Sequence, residues 1–251
     1  MITKDKELRE VFHFLFLEQL LRKSSKEFYV LKGGVNLRFF FNSPRYSEDM
    51  DLDVLGGSVS TLKKNGYQIL ENDQFRRVLA VYGIQDIKVN DPQKAKQTST
   101  TQRFRFRLVN EAGEEFPTTV EFSRRNKGKN YLDEEIDPSI SQYYKKLSFS
   151  CQHYEGKEAV FQKITALAQR SQTQARDIFD LYILFLGGFF KKNEVLIESS
   201  VVKKAEENLM AVSFEQYRDQ VVEYLDESSQ SEWNHLEKWK QIQDRIIKEM
   251  P

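Results

Sequence analysis

The chain has 251 residues and 38 basic against 38 acidic side chains, so its formal net charge is zero. A neutral chain has no global field that attracts nucleic acid or an anionic membrane, and any such surface has to be local. The single cysteine excludes a disulfide framework and a cysteine zinc site, and three scattered histidines argue against a histidine metal cluster. Without a secretory signal or a membrane-length apolar stretch, we expect a cytoplasmic protein with no membrane partner.

The first part of the chain mixes predicted helices and strands. Helical spacing of apolar residues predicts a helix over residues 5–23, and a strand over 28–31 ends at the Gly33-Gly34 turn. A helix then runs from Val35 to Phe41, because Pro44 prevents its continuation. Two further helices are predicted near 60–65 and over 72–81. Strict alternation predicts a β-hairpin, with strands over 103–108 and 118–122 joined by a turn at 110–114.

The remainder of the chain is predicted to be helical. Amphipathic or apolar segments at helical spacing occupy residues 155–170, 175–185, 194–211, 214–226 and 231–248. The change from strand-rich to helix-rich sequence near residue 150 predicts two parts, 1–150 and 151–251. No long linker separates them, so we expect the two parts to pack closely.

The most informative segment follows the glycine turn and has the sequence Arg-Tyr-Ser-Glu-Asp-Met-Asp-Leu-Asp from Arg45 to Asp53. Asp49, Asp51 and Asp53 alternate with apolar residues, so on a strand they share one face. Like charges on one face repel, and a divalent cation such as Mg²⁺ relieves the repulsion through carboxylate oxygens. The alternative interpretation is a solvated edge strand, where charge prevents aggregation.

These residue types fit nucleotidyl transfer, in which two metal ions held by three carboxylates align the attacking and leaving oxygens. Two of the carboxylates can lie at positions i and i+2 of one strand, which Asp49 and Asp51 supply. Glu121, on the return strand of the hairpin, is the candidate third metal ligand. Gly33-Gly34 would let backbone amides approach phosphate oxygens. Neither a Rossmann fingerprint nor a Walker A loop is present.

Two sequence blocks resemble the AbiEii/AbiGii toxin family of the DNA polymerase β-like nucleotidyltransferases. The first block is LKGGVNLR at 31–38 with RYSEDMDL at 45–52, and the second is FQKITALAQR at 161–170 with RDIFDL at 176–181. The resemblance implies an α+β fold, in which an N-terminal catalytic core (1–150), a mixed sheet flanked by helices, packs on a C-terminal helical bundle (151–251). It also implies an NTP-using enzyme with Mg²⁺ or Mn²⁺, an RNA acceptor such as tRNA, a toxin role and a cognate antitoxin.

The resemblance assigns roles to individual residues. It implies triphosphate contacts for Gly33, Gly34, Ser47 and Lys163, metal binding for Asp49 and Asp51, and a polar active-site role for Asp177 beside Lys163. Arg45 is expected to brace the aspartate strand, and Asp53 to be a spare acid on the same face.

Simpler interpretations of the second block stay open. Lys163 could be a solvated side chain on an amphipathic helix, and Arg176 and Asp180 could form an (i, i+4) ion pair. Asp177 or Asp180 could equally bind a basic residue and hold the two parts of the chain together.

Basic residues on and after the hairpin are the candidates for acceptor binding, since local basic stripes bind phosphate backbones. They are Lys94, Lys96, Arg103, Arg105, Arg107, Arg124, Arg125, Lys127 and Lys129. The polar stretch from 90 to 101 is expected to be a loop that orders on substrate. Three alternatives stay open: a merely solvated strand face, an enzyme acting on a small molecule such as an aminoglycoside, and a degenerate nucleotide-binding interaction module.

Overall fold

The structure is a computed structural model that describes residues 5–90, 98–125, 128–190, 192 and 196–251. Its strands are β1 (Tyr29–Lys32), β2 (Met50–Val54), β3 (Ile84–Val89), β4 (Thr101–Asn110), β5 (Glu115–Ser123), β6 (Tyr131–Glu135) and β7 (Ser150–Tyr154). The first helices are α1 (Asp5–Lys23), α2 (Gly33–Phe40), α3 (Val59–Leu70), α4 (Asp73–Ala80) and α5 (Pro138–Tyr143). The later ones are α6 (Gly156–Gln169), α7 (Ala175–Leu186), α8 (Ser199–Met210), α9 (Phe214–Gln220), α10 (Glu227–Trp233) and α11 (Leu236–Glu249).

The strands form one mixed sheet in the order β3-β4-β5-β2-β1-β7-β6. β1 pairs antiparallel with β2 and parallel with β7, while β2 pairs parallel with β5. β4 pairs antiparallel with both β3 and β5, so the predicted hairpin is confirmed. The acidic strand β2 lies between β5 and β1, and the interpretation of that segment as a solvated edge strand is therefore wrong.

The hairpin buries one face because its apolar residues alternate with polar ones. Phe104, Phe106 and Phe122 are fully buried. Phe106 packs on Phe12 of α1, with the ring centroids 4.8 Å apart. Burying aromatic rings of this size supplies much of the favourable free energy of folding.

The described residues divide into two compact units. The first is formed from the ranges 1–36, 46–128 and 132–153, and the second from 37–45, 129–131 and 154–251. Helices α6 to α11 provide most of the second unit, whose apolar core includes Phe179, Tyr217 and Trp239. The Tyr217 and Trp239 rings are stacked with centroids 4.6 Å apart. No described helix has the length and apolar character required to span a membrane.

The structure differs from the predicted elements in several places. Strands β3, β6 and β7 and helix α5 were not predicted; β6 in particular is exposed along its whole length, so its sequence carries no alternation. Helix α2 begins at Gly33 rather than after the glycine pair. The helix predicted over 214–226 is α9 followed by a single 3₁₀ turn, Val222–Tyr224. The helix predicted over 231–248 is interrupted at Asn234 and His235 between α10 and α11.

Candidate active site

A row of four charged residues crosses the centre of the sheet. The strand register places Lys32 of β1 beside Asp51 of β2, Asp51 beside Glu121 of β5, and Glu121 beside Arg103 of β4. Side chains at directly paired positions project from the same face of a sheet. The two predicted metal ligands Asp51 and Glu121 are therefore neighbours, with a basic side chain on either side.

Gly33 lies directly against the carboxylate of Asp51. Its φ angle is +69°, in the left-handed region that favours glycine, and a Cβ built on Gly33 would lie 3.1 Å from Asp51 Oδ2. Any other residue would be strained there and would crowd the carboxylate. The predicted glycine turn and one of the predicted metal ligands thus meet in the folded first unit.

Asp49 lies one residue before β2 begins and is exposed. The Ser47 hydroxyl donates a hydrogen bond of 2.9 Å to the Asp49 carbonyl oxygen, which shapes this short segment. Asp49 is therefore presented from a loop, whereas Asp51 is held within the strand. The triphosphate contact expected of Ser47 stays a prediction.

Asp53 is on the same face of β2 as Asp51 but has a different environment. It is buried, and Lys32 Nζ donates a hydrogen bond of 2.6 Å to its Oδ1. Asp53 lies on the expected face but is not a spare acid, because its carboxylate forms an internal ion pair with Lys32. Choosing Asp49 and Asp51 as the ligand pair, rather than Asp51 and Asp53, is consistent with this burial.

Glu121 is bound by two arginines. Arg103 Nε donates a 2.6 Å hydrogen bond to Oε2, and Arg125 Nη2 lies 3.5 Å from Oε1. In the part of the chain that the structure describes, no group of three His, Cys, Asp or Glu side chains is arranged to hold a metal ion. The oxygen donors of Asp49 and Asp51 fit the chemistry of Mg²⁺ or Mn²⁺, while Glu121 would have to exchange a guanidinium for the metal.

The other candidate acceptor-binding arginines have varied surroundings. Arg105 is exposed on β4, whereas Arg107 Nη1 lies 3.1 Å from Glu115, which also binds Lys88. Arg124 Nη1 donates to the Gly56 carbonyl oxygen at 3.4 Å. The predicted basic stripe is thus partly neutralised by acids on the neighbouring strand. Lys94, Lys96, Lys127 and most of the predicted 90–101 loop lie outside the described residues.

The second sequence block forms a buried charge network in the second unit. Lys163 Nζ of α6 donates hydrogen bonds of 2.8 Å to Asp177 Oδ1 and 2.5 Å to Asp180 Oδ2, both on α7. Arg45 Nη2 donates to both oxygens of Asp180, at 3.0 and 3.1 Å. Arg170 Nε lies 3.2 Å from Asp177 Oδ2. Lys163 is therefore not the solvated side chain of the simpler interpretation, since only 13% of its side chain is exposed.

Within the network, the surroundings of Lys163 and Asp180 favour the charged form of each side chain. Burial acts to lower the pKa of Lys163, but the carboxylates of Asp177 and Asp180 outweigh it and hold that pKa above its ordinary value. Burial likewise acts to raise the pKa of Asp180, and the adjacent Arg45 and Lys163 overcome it, so the pKa is lowered. The predicted (i, i+4) pairing of Arg176 with Asp180 is replaced by these longer-range partners.

Two buried histidines were not singled out from the sequence. His153 Nδ1 lies 3.0 Å from Asn36 Oδ1 on α2, and its Nε2 lies 3.0 Å from Glu134 Oε2. His13 of α1 lies 3.0 Å from Thr118 of β5. Each contact joins residues more than a hundred positions apart or on different elements, so no local sequence pattern could have indicated it.

Comparisons with known proteins identify the family of this chain and the fold that it shares with solved structures. The family model described as nucleotidyl transferase AbiEii toxin, type IV toxin–antitoxin system, matches residues 15–251. MenT4, a nucleotidyltransferase toxin of Mycobacterium tuberculosis, superposes with a TM-score of 0.66 at 18% identity, covering 97% of this chain and 82% of that one. JHP933 of Helicobacter pylori gives 0.59 at 19% identity, covering 99% and 94%. At these identities the likeness shows a shared fold. Comparison with curated proteins gives no match.

Proposed function

Because this chain belongs to the AbiEii family of nucleotidyltransferase toxins, we propose that it transfers a nucleoside monophosphate from an NTP to a hydroxyl group of RNA, with tRNA as the acceptor class, in a reaction that requires Mg²⁺ or Mn²⁺. The observation that carries the proposal is the contact of Gly33 with Asp51. The glycine turn, which suits a phosphate group, lies in contact with a carboxylate that suits a metal ion. Binding of a metal-bound triphosphate requires these two features to be close together.

Asp49 and Asp51 are the proposed metal ligands, one on a loop and one on a central strand. A bound divalent cation would neutralise phosphate charge and help to align the attacking and leaving oxygens. The backbone amides at Gly33 and Gly34 open α2, where the positive end of the helix dipole favours a phosphate group. Ser47 fixes the loop that carries Asp49 and is proposed to contact the triphosphate.

Glu121 is proposed as the third carboxylate because the register places it beside Asp51. Its ion pair with Arg103 has to open for that role, so a metal ion would replace the guanidinium beside the Glu121 carboxylate. Two carboxylates placed together repel unless a cation lies near them, which supports this exchange.

Lys163 is proposed to contact the phosphates, with Asp177 as the carboxylate that orients its ammonium group. The support is the 2.8 Å hydrogen bond between them and the raised pKa that keeps Lys163 charged. Arg105 and Arg125 are exposed and are proposed to bind the RNA backbone, together with Arg103, Arg107 and Arg124. A toxin of this family also implies an antitoxin protein as partner.

A transfer assay tests the proposal directly. The protein is incubated with total RNA, Mg²⁺ and each of the four α-labelled NTPs, beside Asp51→Asn and the control Asp133→Asn. Asp133 is an exposed carboxylate on β6 that binds Lys26, so its amide should leave transfer intact. We expect label on a discrete RNA band with the wild type and the control only.

Two results would contradict the proposal. If Asp51→Asn kept wild-type activity, the assignment of Asp51 as a metal ligand would be wrong. If no NTP gave label on RNA, the proposal that RNA is the acceptor would be wrong. Transfer to an aminoglycoside in the same buffer would then identify a small-molecule enzyme.

A further inference from the structure

A chain of two side-chain hydrogen bonds connects α1 to the segment that presents Asp49. Thr118 Oγ1 of β5 donates a 2.6 Å hydrogen bond to the carbonyl oxygen of Glu48, the residue immediately before Asp49. His13 Nε2 of α1 lies 3.0 Å from the same hydroxyl oxygen. His13 and Thr118 are both buried, with 1% and 3% of their surface exposed, and buried polar side chains of this kind require hydrogen-bond partners.

The donor and acceptor in each of these two hydrogen bonds follow from the number of protons available. A threonine hydroxyl has one proton, and a backbone carbonyl can only accept a hydrogen bond. The Thr118 proton is therefore used in the bond to Glu48, and the hydroxyl oxygen must accept from His13. This requires a proton on Nε2 of His13.

The charge state of His13 follows from its surroundings. Burial, with a smaller contribution from the nearby Arg9, lowers the pKa of His13 to about 3. The ring is consequently neutral at physiological pH, and with its proton on Nε2 the other nitrogen, Nδ1, is unprotonated. Arg9 lies one helical turn before His13, and its Nε donates to the Pro117 carbonyl oxygen at 3.0 Å, so two successive turns of α1 contact β5.

The contact to Glu48 occurs where the backbone pairing of the sheet ends. β2 pairs with β5 from Met50 opposite Val120, and Glu48 and Thr118 are each two residues earlier. No ladder pair is formed at this position, and the Thr118 side chain bonds the carbonyl there. The next carbonyl oxygen, that of Asp49 itself, accepts a hydrogen bond from the Ser47 hydroxyl. The segment 47–49 is thus held by side chains rather than by strand pairing.

We infer that His13 and Thr118 are positioning residues for the Asp49 carboxylate, acting through the backbone of Glu48. The inference rests on the proposed function, in which Asp49 is a metal ligand. His13 sets the hydroxyl of Thr118 in the orientation that donates to Glu48, and Thr118 fixes the segment from which Asp49 reaches the metal ion. Neither residue touches substrate. Residues that orient a metal ligand typically change metal affinity about 10–100-fold when they are lost.

The test compares Thr118→Val, which keeps the shape and removes the hydroxyl, with Thr118→Ser, which restores it. Ser141→Ala is the matched control, because Ser141 is also buried in the first unit and donates to a backbone carbonyl, that of Pro138 at 3.0 Å. Three properties are measured: the ¹⁵N signals of the His13 ring from pH 5 to 8, backbone hydrogen exchange over residues 46–50, and Mn²⁺ affinity by titration.

We expect the wild-type His13 ring to be neutral with its proton on Nε2 throughout this pH range. Thr118→Val should increase exchange at 47–49 and weaken Mn²⁺ binding about tenfold or more, and Thr118→Ser and Ser141→Ala should remain near the wild type. A proton on Nδ1, or a Thr118→Val protein with unchanged exchange and unchanged Mn²⁺ affinity, would overturn the inference.

The design separates the inference from the function on which it rests. If the wild type and Asp51→Asn bind Mn²⁺ equally weakly, the metal site of the proposed function has failed. In that case the ring signals and the exchange of 47–49 still decide whether His13 and Thr118 hold this segment, while their role toward a metal ion falls with the metal site.

Discussion

Arg45 binds the buried carboxylate of Asp180 although 135 residues separate them in the chain. Both residues belong to the second compact unit, together with Lys163, which binds the same carboxylate. Asp180 therefore compensates both the buried guanidinium of Arg45 and the largely buried ammonium of Lys163. A pair of this kind contributes little net stability compared with an apolar pair, but removing only one partner leaves an uncompensated buried charge.

Replacing Asp180 by alanine should accordingly lower the free energy of unfolding by about 3–5 kcal/mol, because Arg45 and Lys163 would remain buried without this carboxylate. Urea denaturation at neutral pH measures the loss. Arg176→Ala on the same helix is the control and should change stability by about 0.5 kcal/mol at most. Equal losses in the two variants would show that removing the Asp180 carboxylate does not cost this much free energy of unfolding.

Gly33→Ala should damage the site more than the fold. The substitution places a Cβ 3.1 Å from Asp51 Oδ2 and holds alanine at a φ of +69°. Left-handed backbone costs an alanine about 1–2 kcal/mol of stability. Gly113→Ala is a matched control, since Gly113 has a φ of +80° and a Cβ added there would meet nothing within 4 Å.

We expect the two glycine variants to lose similar unfolding free energy, while only Gly33→Ala loses Mn²⁺ affinity and nucleotidyl transfer. Thermal or urea denaturation gives the first quantity, and titration with the transfer assay gives the second. Equal metal affinity and activity in both variants would mean that the contact between Gly33 and Asp51 has no role in the reaction.

His13 should make stability depend on pH. Its pKa is about 3 in the folded protein against 6.5 for an ordinary histidine, so only the unfolded chain takes up this proton between those values. The stability contributed by the neutral ring is complete above pH 6.5 and is lost as the pH falls towards 3. The slope reaches at most about 1.4 kcal/mol per pH unit.

The measurement is the free energy of unfolding of wild type and His13→Gln from pH 7 to 4. The difference between the two proteins should shrink as the pH falls, because glutamine does not titrate. His235→Gln is the comparison, since His235 is exposed on the described surface. A difference that stays constant with pH would show that His13 is able to charge within the folded protein.

Local alternation of polar and apolar residues was enough to predict the strands that carry Asp51 and Glu121. The alternation around Asp51 placed β2, and the alternation of Phe104 and Phe106 with arginines placed the hairpin that brings Glu121 beside Asp51. The pairing of Asp53 with Lys32 was not predictable in the same way. It depends on which strand lies next to β2, and alternation alone does not determine sheet order.

Polar contacts between residues far apart in the chain could not be predicted from the sequence. Lys163 was identified as a residue of interest from its sequence block, but its burial between two carboxylates depends on the packing of α6 on α7. Likewise, the hydrogen bond of His13 with Thr118 joins positions 105 residues apart. Single histidines and lysines on helices have no periodicity that distinguishes these environments.

The last prediction separates two arginines on one strand. Arg103 and Arg105 are on the same face of β4, but Arg103 binds Glu121 whereas Arg105 is exposed and has no carboxylate within 4 Å among the described residues. Arg105→Gln should therefore raise the KM for RNA and reduce the slope of log affinity against log salt by about one, leaving the KM for NTP unchanged.

Arg103→Gln should behave differently, because it removes the guanidinium that neutralises Glu121 and so acts on the metal and NTP step. We expect a changed KM for NTP at limiting Mn²⁺, with a smaller effect on the salt dependence of RNA binding. Steady-state kinetics over a series of salt and Mn²⁺ concentrations measures both. If neither variant changes the KM for RNA or its salt slope, this strand does not bind the acceptor. If Arg105→Gln affects NTP as strongly as Arg103→Gln, the division of roles between the two arginines is wrong.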